Sequence, residues 1–208
     1  MGMTKRWLQN RRSDYYYRKA KQMDYRSRAA FKLIQIDSRF RILSRGARVV
    51  DLGAAPGGWL QVANEAVGPK GMVVGVDLDS IPAIEGVETI RGDMREQGTI
   101  DELLQRMEGG ADVVLSDMSP SISGNYSMDH ARSVELVKIA LSTARKVLRP
   151  GSSFVAKVFQ GDLIGELMDD VESSFTEVKV HSPKASRPTS SEVYIVARGF
   201  HERGGKGT

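Results

Sequence analysis

The 208-residue chain has no cysteine, which excludes disulfide staples and thiolate metal sites. Its three histidines, His130, His181 and His201, are too scattered for a ligand cluster, so no metal is expected. It also lacks the ~18–20 consecutive apolar residues that a membrane-spanning helix needs. No hydrophobic stretch follows the basic N-terminus, so no secretory signal is expected. These absences fit a cytoplasmic protein with no membrane partner, and a monomer is expected. The apolar share of 40% suffices for one core, and cores usually stop growing at ~250 residues.

The net charge of +4 hides an asymmetry. Residues 1–45 carry 13 Lys/Arg against 3 Asp/Glu, residues 46–178 carry 11 against 21, and residues 179–208 carry 6 against 2. An acidic middle with basic ends suggests that the ends converge on a polyanion. A solvated arm without a partner would look the same. The basic arm, residues 1–24, also interleaves aromatics: Trp7, Tyr15, Tyr16 and Tyr17, with Tyr25 just beyond. Cations can neutralise phosphates while tyrosines stack on bases.

From residue 25 onwards, strand-like and helix-like periods alternate. Ser27 opens a helical run with Lys32 off its apolar stripe. Ala47–Leu52 reads as a buried parallel strand, followed by a Gly-rich turn and a helix from about Pro56. Further strands are expected at 72–76, 88–90, 111–115, 152–158, 177–181 and 192–197. A long helix over 130–148 should stop at Pro150-Gly151. The expected fold is α/β: a Rossmann-like, mostly parallel seven-stranded sheet with a terminal antiparallel strand and helices on both faces. Its expected domain spans 25–198, with a flexible tail at 199–208.

The turn Asp51-Leu52-Gly53-Ala54-Ala55-Pro56-Gly57-Gly58-Trp59 is the most informative segment. It lacks the dinucleotide pattern G-x-G-x-x-G and the G-K-[ST] of a phosphate loop. Instead, acids recur at successive strand ends: Asp51, Asp77 and Asp93. Such a pocket suits a ligand bearing ammonium and sulfonium groups, with Asp77 in reach of ribose hydroxyls.

This turn resembles that of S-adenosylmethionine-dependent methyltransferases, and more narrowly the FtsJ/RrmJ-like (RlmE-type) family of ribosomal RNA ribose 2′-O-methyltransferases. Four further motifs match in order over about Lys21 to Arg198. They are Ser-Arg-Ala-Ala-Phe-Lys32-Leu, Leu-Ser-Asp117-Met-Ser-Pro, Val-Ala-Lys157-Val-Phe and Ser-Ser-Glu192-Val-Tyr. The resemblance implies a catalytic tetrad of Lys32, Asp117, Lys157 and Glu192. It places cofactor contacts on Gly57, Trp59, Asp77, Asp93 and Asp117. It also implies S-adenosyl-L-methionine as cofactor, and as partner ribosomal RNA, free or within the large ribosomal subunit, methylated on a uridine.

In this chemistry an oxygen losing its proton displaces a methyl group from a sulfonium, so alignment and exclusion of water matter most. Lys157 is the expected proton acceptor or alkoxide holder. Lys32 would favour its neutral form by repulsion, whereas Asp117 and Glu192 would favour the ammonium. Taken singly, each residue also has a plainer account. Lys32, Lys157 and Glu192 could be solvated, Trp59 could be core, and Asp51 could cap its own turn. The Ser119–Asn125 segment could be a mobile lip or an ordinary loop, and Ser182–Ser190, with Lys184 and Arg187, is expected to contact RNA. The alternatives are a transfer RNA or messenger-cap ribose methyltransferase, or an RNA-binding assembly factor without chemistry. A methyl-donor assay separates the enzymes from the last.

Overall fold

The structure, a computed structural model, describes residues 15–187 and 190–201. Trp7 with the rest of residues 1–14, and the tail beyond His201, lie outside the described residues.

A seven-stranded sheet runs in the order β3-β2-β1-β4-β5-β7-β6. The strands are β1 (Arg48–Leu52), β2 (Met72–Asp77), β3 (Val87–Arg91), β4 (Ala111–Ser116), β5 (Leu148–Phe159), β6 (Phe175–His181) and β7 (Glu192–Phe200). Strands β1 to β5 are mutually parallel, while β7 inserts antiparallel between β5 and β6. The expected antiparallel element at the end of the chain is thus present: β7, the last strand, runs antiparallel to both of its neighbours.

Six helices among the described residues cover the sheet: α1 (Tyr15–Gln22), α2 (Ala30–Phe40), α3 (Gly58–Val67), α4 (Gln97–Arg106), α5 (Tyr126–Val147) and α6 (Ile164–Glu172). The strand period of two decides which helices meet which residues. Val49, Val73, Val113 and Leu115 face the α1–α3 layer with Phe31, Leu33, Trp59 and Leu60. Val50, Leu52, Val74 and Val114 face α4–α6 with Leu103, Leu141 and Leu167. The strand order reverses between the parallel neighbours β1 and β4, and at such a switch point the strand C-termini open a crevice.

Several boundaries differ from expectation. The helix after the Gly-rich turn begins at Gly58, not Pro56, because Gly57 adopts φ 105°, a left-handed conformation that no helix accommodates. Helix α5 ends at Val147 and strand β5 starts at once, rather than after Pro150-Gly151. A register break between Ala111 and Val113 absorbs the residues around Pro150 as a bulge. Strand β7 continues to Phe200, two residues into the segment expected to be tail. Phe200 is buried, its ring centroid 5.4 Å from that of Phe175. In the expected arm, residues 15–22 are helical, and Tyr16 of α1 packs on Phe31.

Candidate active site

The crevice at the switch point holds a cavity of about 610 Å³. Its floor is the Gly-rich turn. Gly53 has φ 75°, and its N–H donates to the Val76 carbonyl (2.8 Å). A Cβ at Gly53 would strike the Met118 side chain, so only glycine lets the β1 and β4 ends approach this closely. Asp77 braces the turn from the next strand: its carboxylate accepts the N–H groups of Ala55 and Asp79, both at 2.8 Å. Asp77, Asp93 and Asp117 line the cavity together with Leu78, Met94 and Met118.

Asp93 is already engaged. Its carboxylate accepts the Arg95 N–H (2.9 Å) and chelates the Arg95 guanidinium, which holds the carboxyl below its ordinary range. Gly57 and Trp59, also expected to touch the cofactor, do not line the cavity. Gly57 sits behind the turn against Arg26 and Ile84. Trp59 is core: its indole N–H donates to the Ala29 carbonyl (2.8 Å), and its ring lies 5.7 Å from the Tyr194 ring. Asp51 is fully buried, and neither carboxylate oxygen has a hydrogen-bond partner. Burial, then the charges of Asp117 and Asp77, push it well above the usual carboxylate range.

Beside this cavity the four tetrad residues come together from four separate elements. Lys157 Nζ donates to the Asp117 backbone carbonyl at 2.8 Å and lies 3.1 Å from Asp117 Oδ1. Lys32 Nζ lies 2.6 Å from Glu192 Oε1. Lys32 is buried despite lying off the apolar stripe, because it pairs with this carboxylate instead of reaching solvent.

Tyr194, which the sequence reading did not single out, joins the two pairs. Its hydroxyl donates to Asp117 Oδ1 (2.6 Å), and Lys32 Nζ sits 5.7 Å from its ring centroid. Burial, then the Asp117 and Glu192 charges, raise its phenol well above its ordinary value. Burial alone would raise Asp117 too, but the Lys157 and Lys32 ammonium charges and the Tyr194 and Lys157 hydrogen bonds outweigh it and hold the carboxyl low. Tyr194 was findable: it stands two residues after Glu192 on one strand, hence on the same face.

A second, smaller opening of about 230 Å³ lies on the far side of the Lys32–Glu192 pair, lined by Arg28, Arg187 and Ser190. Burial, then the Arg187 charge, pull the Arg28 guanidinium below its ordinary value, although Glu192 opposes this. The wall is assembled from distant parts of the chain. Ala185 donates its N–H to Gln35 (3.0 Å) and accepts from Arg28 Nη2 (2.5 Å), while Gln35 Nε2 donates to the Tyr16 hydroxyl (3.1 Å). The described parts of the two basic ends thus meet on α2. The Ser119–Asn125 loop borders the large cavity through Ser119, Pro120 and Ser121 and is tied to Asp129 by Ser123 and Gly124.

Comparison with known proteins identifies the family. The family model of FtsJ-like methyltransferases matches residues 25–200. The chain is 53% identical over 190 residues to the ribosomal RNA large subunit methyltransferase E of Methanosarcina mazei, covering 91% of this chain and 70% of that protein. It is 55% identical over 190 residues to the protein of the same name from Halobacterium salinarum, covering 90% and 73%. A Plasmodium falciparum crystal structure described as a ribosomal RNA methyltransferase superposes with TM-score 0.76 at 27% identity, covering 86% of this chain and 100% of that one. The chain belongs to the FtsJ-like methyltransferase family.

Proposed function

We propose that this protein uses S-adenosyl-L-methionine to methylate a ribose 2′-hydroxyl, on a uridine of large-subunit ribosomal RNA. One observation carries the reading. Lys32, Asp117, Lys157 and Glu192 form a bonded cluster between an acidic cavity and a basic opening. That is the placement a transfer centre needs between a cationic donor and a polyanionic acceptor. The relatives named for large-subunit ribosomal RNA supply the substrate class.

The residues present fit the cofactor. Asp77 suits ribose hydroxyls, Asp93 an exocyclic amine, and Asp117 an ammonium, while Leu78, Met94 and Met118 offer apolar walls for a purine. When bound, the cofactor supplies an electrophilic methyl group on a sulfonium. The chain's own work is alignment and proton handling. Lys157 would act as a neutral amine, its ammonium proton having first left to solvent, and its Nζ would then take the 2′-hydroxyl proton as the ribose oxygen receives the methyl group. Asp117 fixes that nitrogen through two contacts, and Tyr194 fixes Asp117. Lys32 and Glu192 border the opening through which the ribose enters, and Arg28 and Arg187 meet the phosphates.

The test supplies labelled cofactor with naked ribosomal RNA, large ribosomal subunits and transfer RNA, and maps the methylated atom. Transfer to a ribose 2′-oxygen of large-subunit RNA is expected. Transfer to a base, to transfer RNA alone, or to nothing overturns the reading.

A further inference from the structure

The opening beside the tetrad is basic, with Arg28 and Arg187. Elsewhere on the surface is an apolar corner that nothing in the transfer step accounts for. At the corner where the Ser119–Asn125 loop enters α5 and the chain approaches α6, Ile122 is 67% exposed, Tyr126 59%, Met128 45% and Leu163 39%.

This corner is adjacent to the chemistry. The Tyr126 hydroxyl donates to the Gln160 carbonyl (2.6 Å), and the Gln160 N–H donates to the carbonyl of Ser191, the neighbour of Glu192. Leu163 is fastened one helical turn further along α5. Its N–H donates to His130 Nε2 (3.1 Å), while His130 Nδ1 donates to the Phe159 carbonyl (2.9 Å).

The apolar groups are not exposed because the loop is slack. The Asp129 carboxylate accepts the Ser123 N–H, the Ser123 hydroxyl and the Gly124 N–H, and Asn125 caps α5 through the Met128 N–H. A bonded scaffold therefore holds a phenol ring exposed, joined through Gln160 and Ser191 to the strand end that carries Glu192, a residue lining the basic opening. A stable protein partner would need ~800 Å² per side, more than four scattered side chains offer. A flat ring next to phosphate-binding cations is the pattern that receives unstacked bases.

We propose that Tyr126, flanked by Ile122 and Leu163, is a stacking platform for an unpaired nucleobase adjoining the target ribose. The inference rests on the RNA-methylation reading above. It adds that the RNA must be unpaired at this point, since duplex stacking covers the faces of a base.

The test uses the full chain, large ribosomal subunits lacking the modification and naked large-subunit RNA. Tyr126→Ala should raise KM for RNA about tenfold, the scale of one lost base–aromatic stack, with kcat and cofactor affinity unchanged. Tyr126→Phe keeps the ring and loses the bond to Gln160, and should match the wild type. Ile122→Ala should give a smaller rise in KM. An unchanged KM in Tyr126→Ala overturns the proposal, and so does a Phe variant as impaired as the Ala variant, which would make the hydroxyl tether the cause. Absence of RNA methylation by the wild type would overturn both readings, whereas methylation that is indifferent to the Tyr126 ring overturns the platform alone.

Discussion

The donor side and the acceptor side of this site are built in opposite ways. The donor cavity comes from consecutive strand ends and the turns that follow them, with Gly53, Asp77, Asp93 and Asp117 each one step further along the same α/β pattern. The acceptor opening joins α2 to the segment before β7: Arg28 and Gln35 meet Ala185, about 150 residues later in the chain. The first is local geometry repeated, and the second is long-range packing. Charge follows the division in balance only: four carboxylates outnumber Arg95 and Arg132 in the first cavity, and Arg28, Lys32 and Arg187 outnumber Glu192 in the second. The tetrad spans the two, Asp117 lining the first and Lys32 and Glu192 the second, with Tyr194 between them.

The largest effect should come from cutting that shared centre. Lys157→Ala should lower turnover about 10²- to 10⁴-fold, the range for a lost proton-transfer group, while cofactor affinity measured by calorimetry stays intact. Substantial turnover with normal binding would dissolve the link between the two sides.

Next comes the packing behind them. Trp59→Ala should cost about 3–5 kcal/mol in urea unfolding, because the indole supports both α2 and Tyr194. A small cost with a large loss of cofactor affinity would instead return Trp59 to the cavity wall.

Asp51 sharpens the comparison through pH. Its folded-state pKa is raised, so its contribution to stability is fully present below the unfolded value, about 3.9, and is lost as pH rises through the folded value. Asp51→Asn is uncharged throughout, so its stability relative to the wild type should rise with pH between acid and neutral conditions. A difference that stays flat across denaturant titrations would show that burial does not penalise this carboxylate.

The smallest effect belongs to the acceptor rim. Arg187→Ala should weaken RNA binding modestly and reduce the slope of log K against log salt by about 0.7–0.9, the value for one lost phosphate contact. Donor affinity should not change. An unaltered slope would remove Arg187 from the RNA surface.

The donor half was legible in the residues because small side chains in a strand-to-helix turn and acids at strand ends carry their meaning within a few positions. The tetrad was legible through motif context. Spacing alone says nothing about whether Lys32 and Glu192 meet. Gly57 and Trp59 stand in the same string, which does not encode their packing: Gly57 takes a left-handed backbone, the helix starts just behind it, and Trp59 is buried. Pro150-Gly151 looked like a helix stop, but β4 pairing drew the chain into a strand at Leu148, four residues before the expected start. Phe200 looked like tail until its contact with Phe175 made it core.

By itself the sequence determined the alternating α/β order and the acidic character of the turn, which follow from residue type and short-range period, while the proposed tetrad follows from the resemblance of its four motifs to a known family. Tertiary structure alone decided that Lys32 is buried against Glu192, that Tyr194 bridges the two ion pairs, and that Ala185 ties the basic segments to α2. Each depends on strand order and on contacts between residues far apart in the chain, which no local pattern encodes.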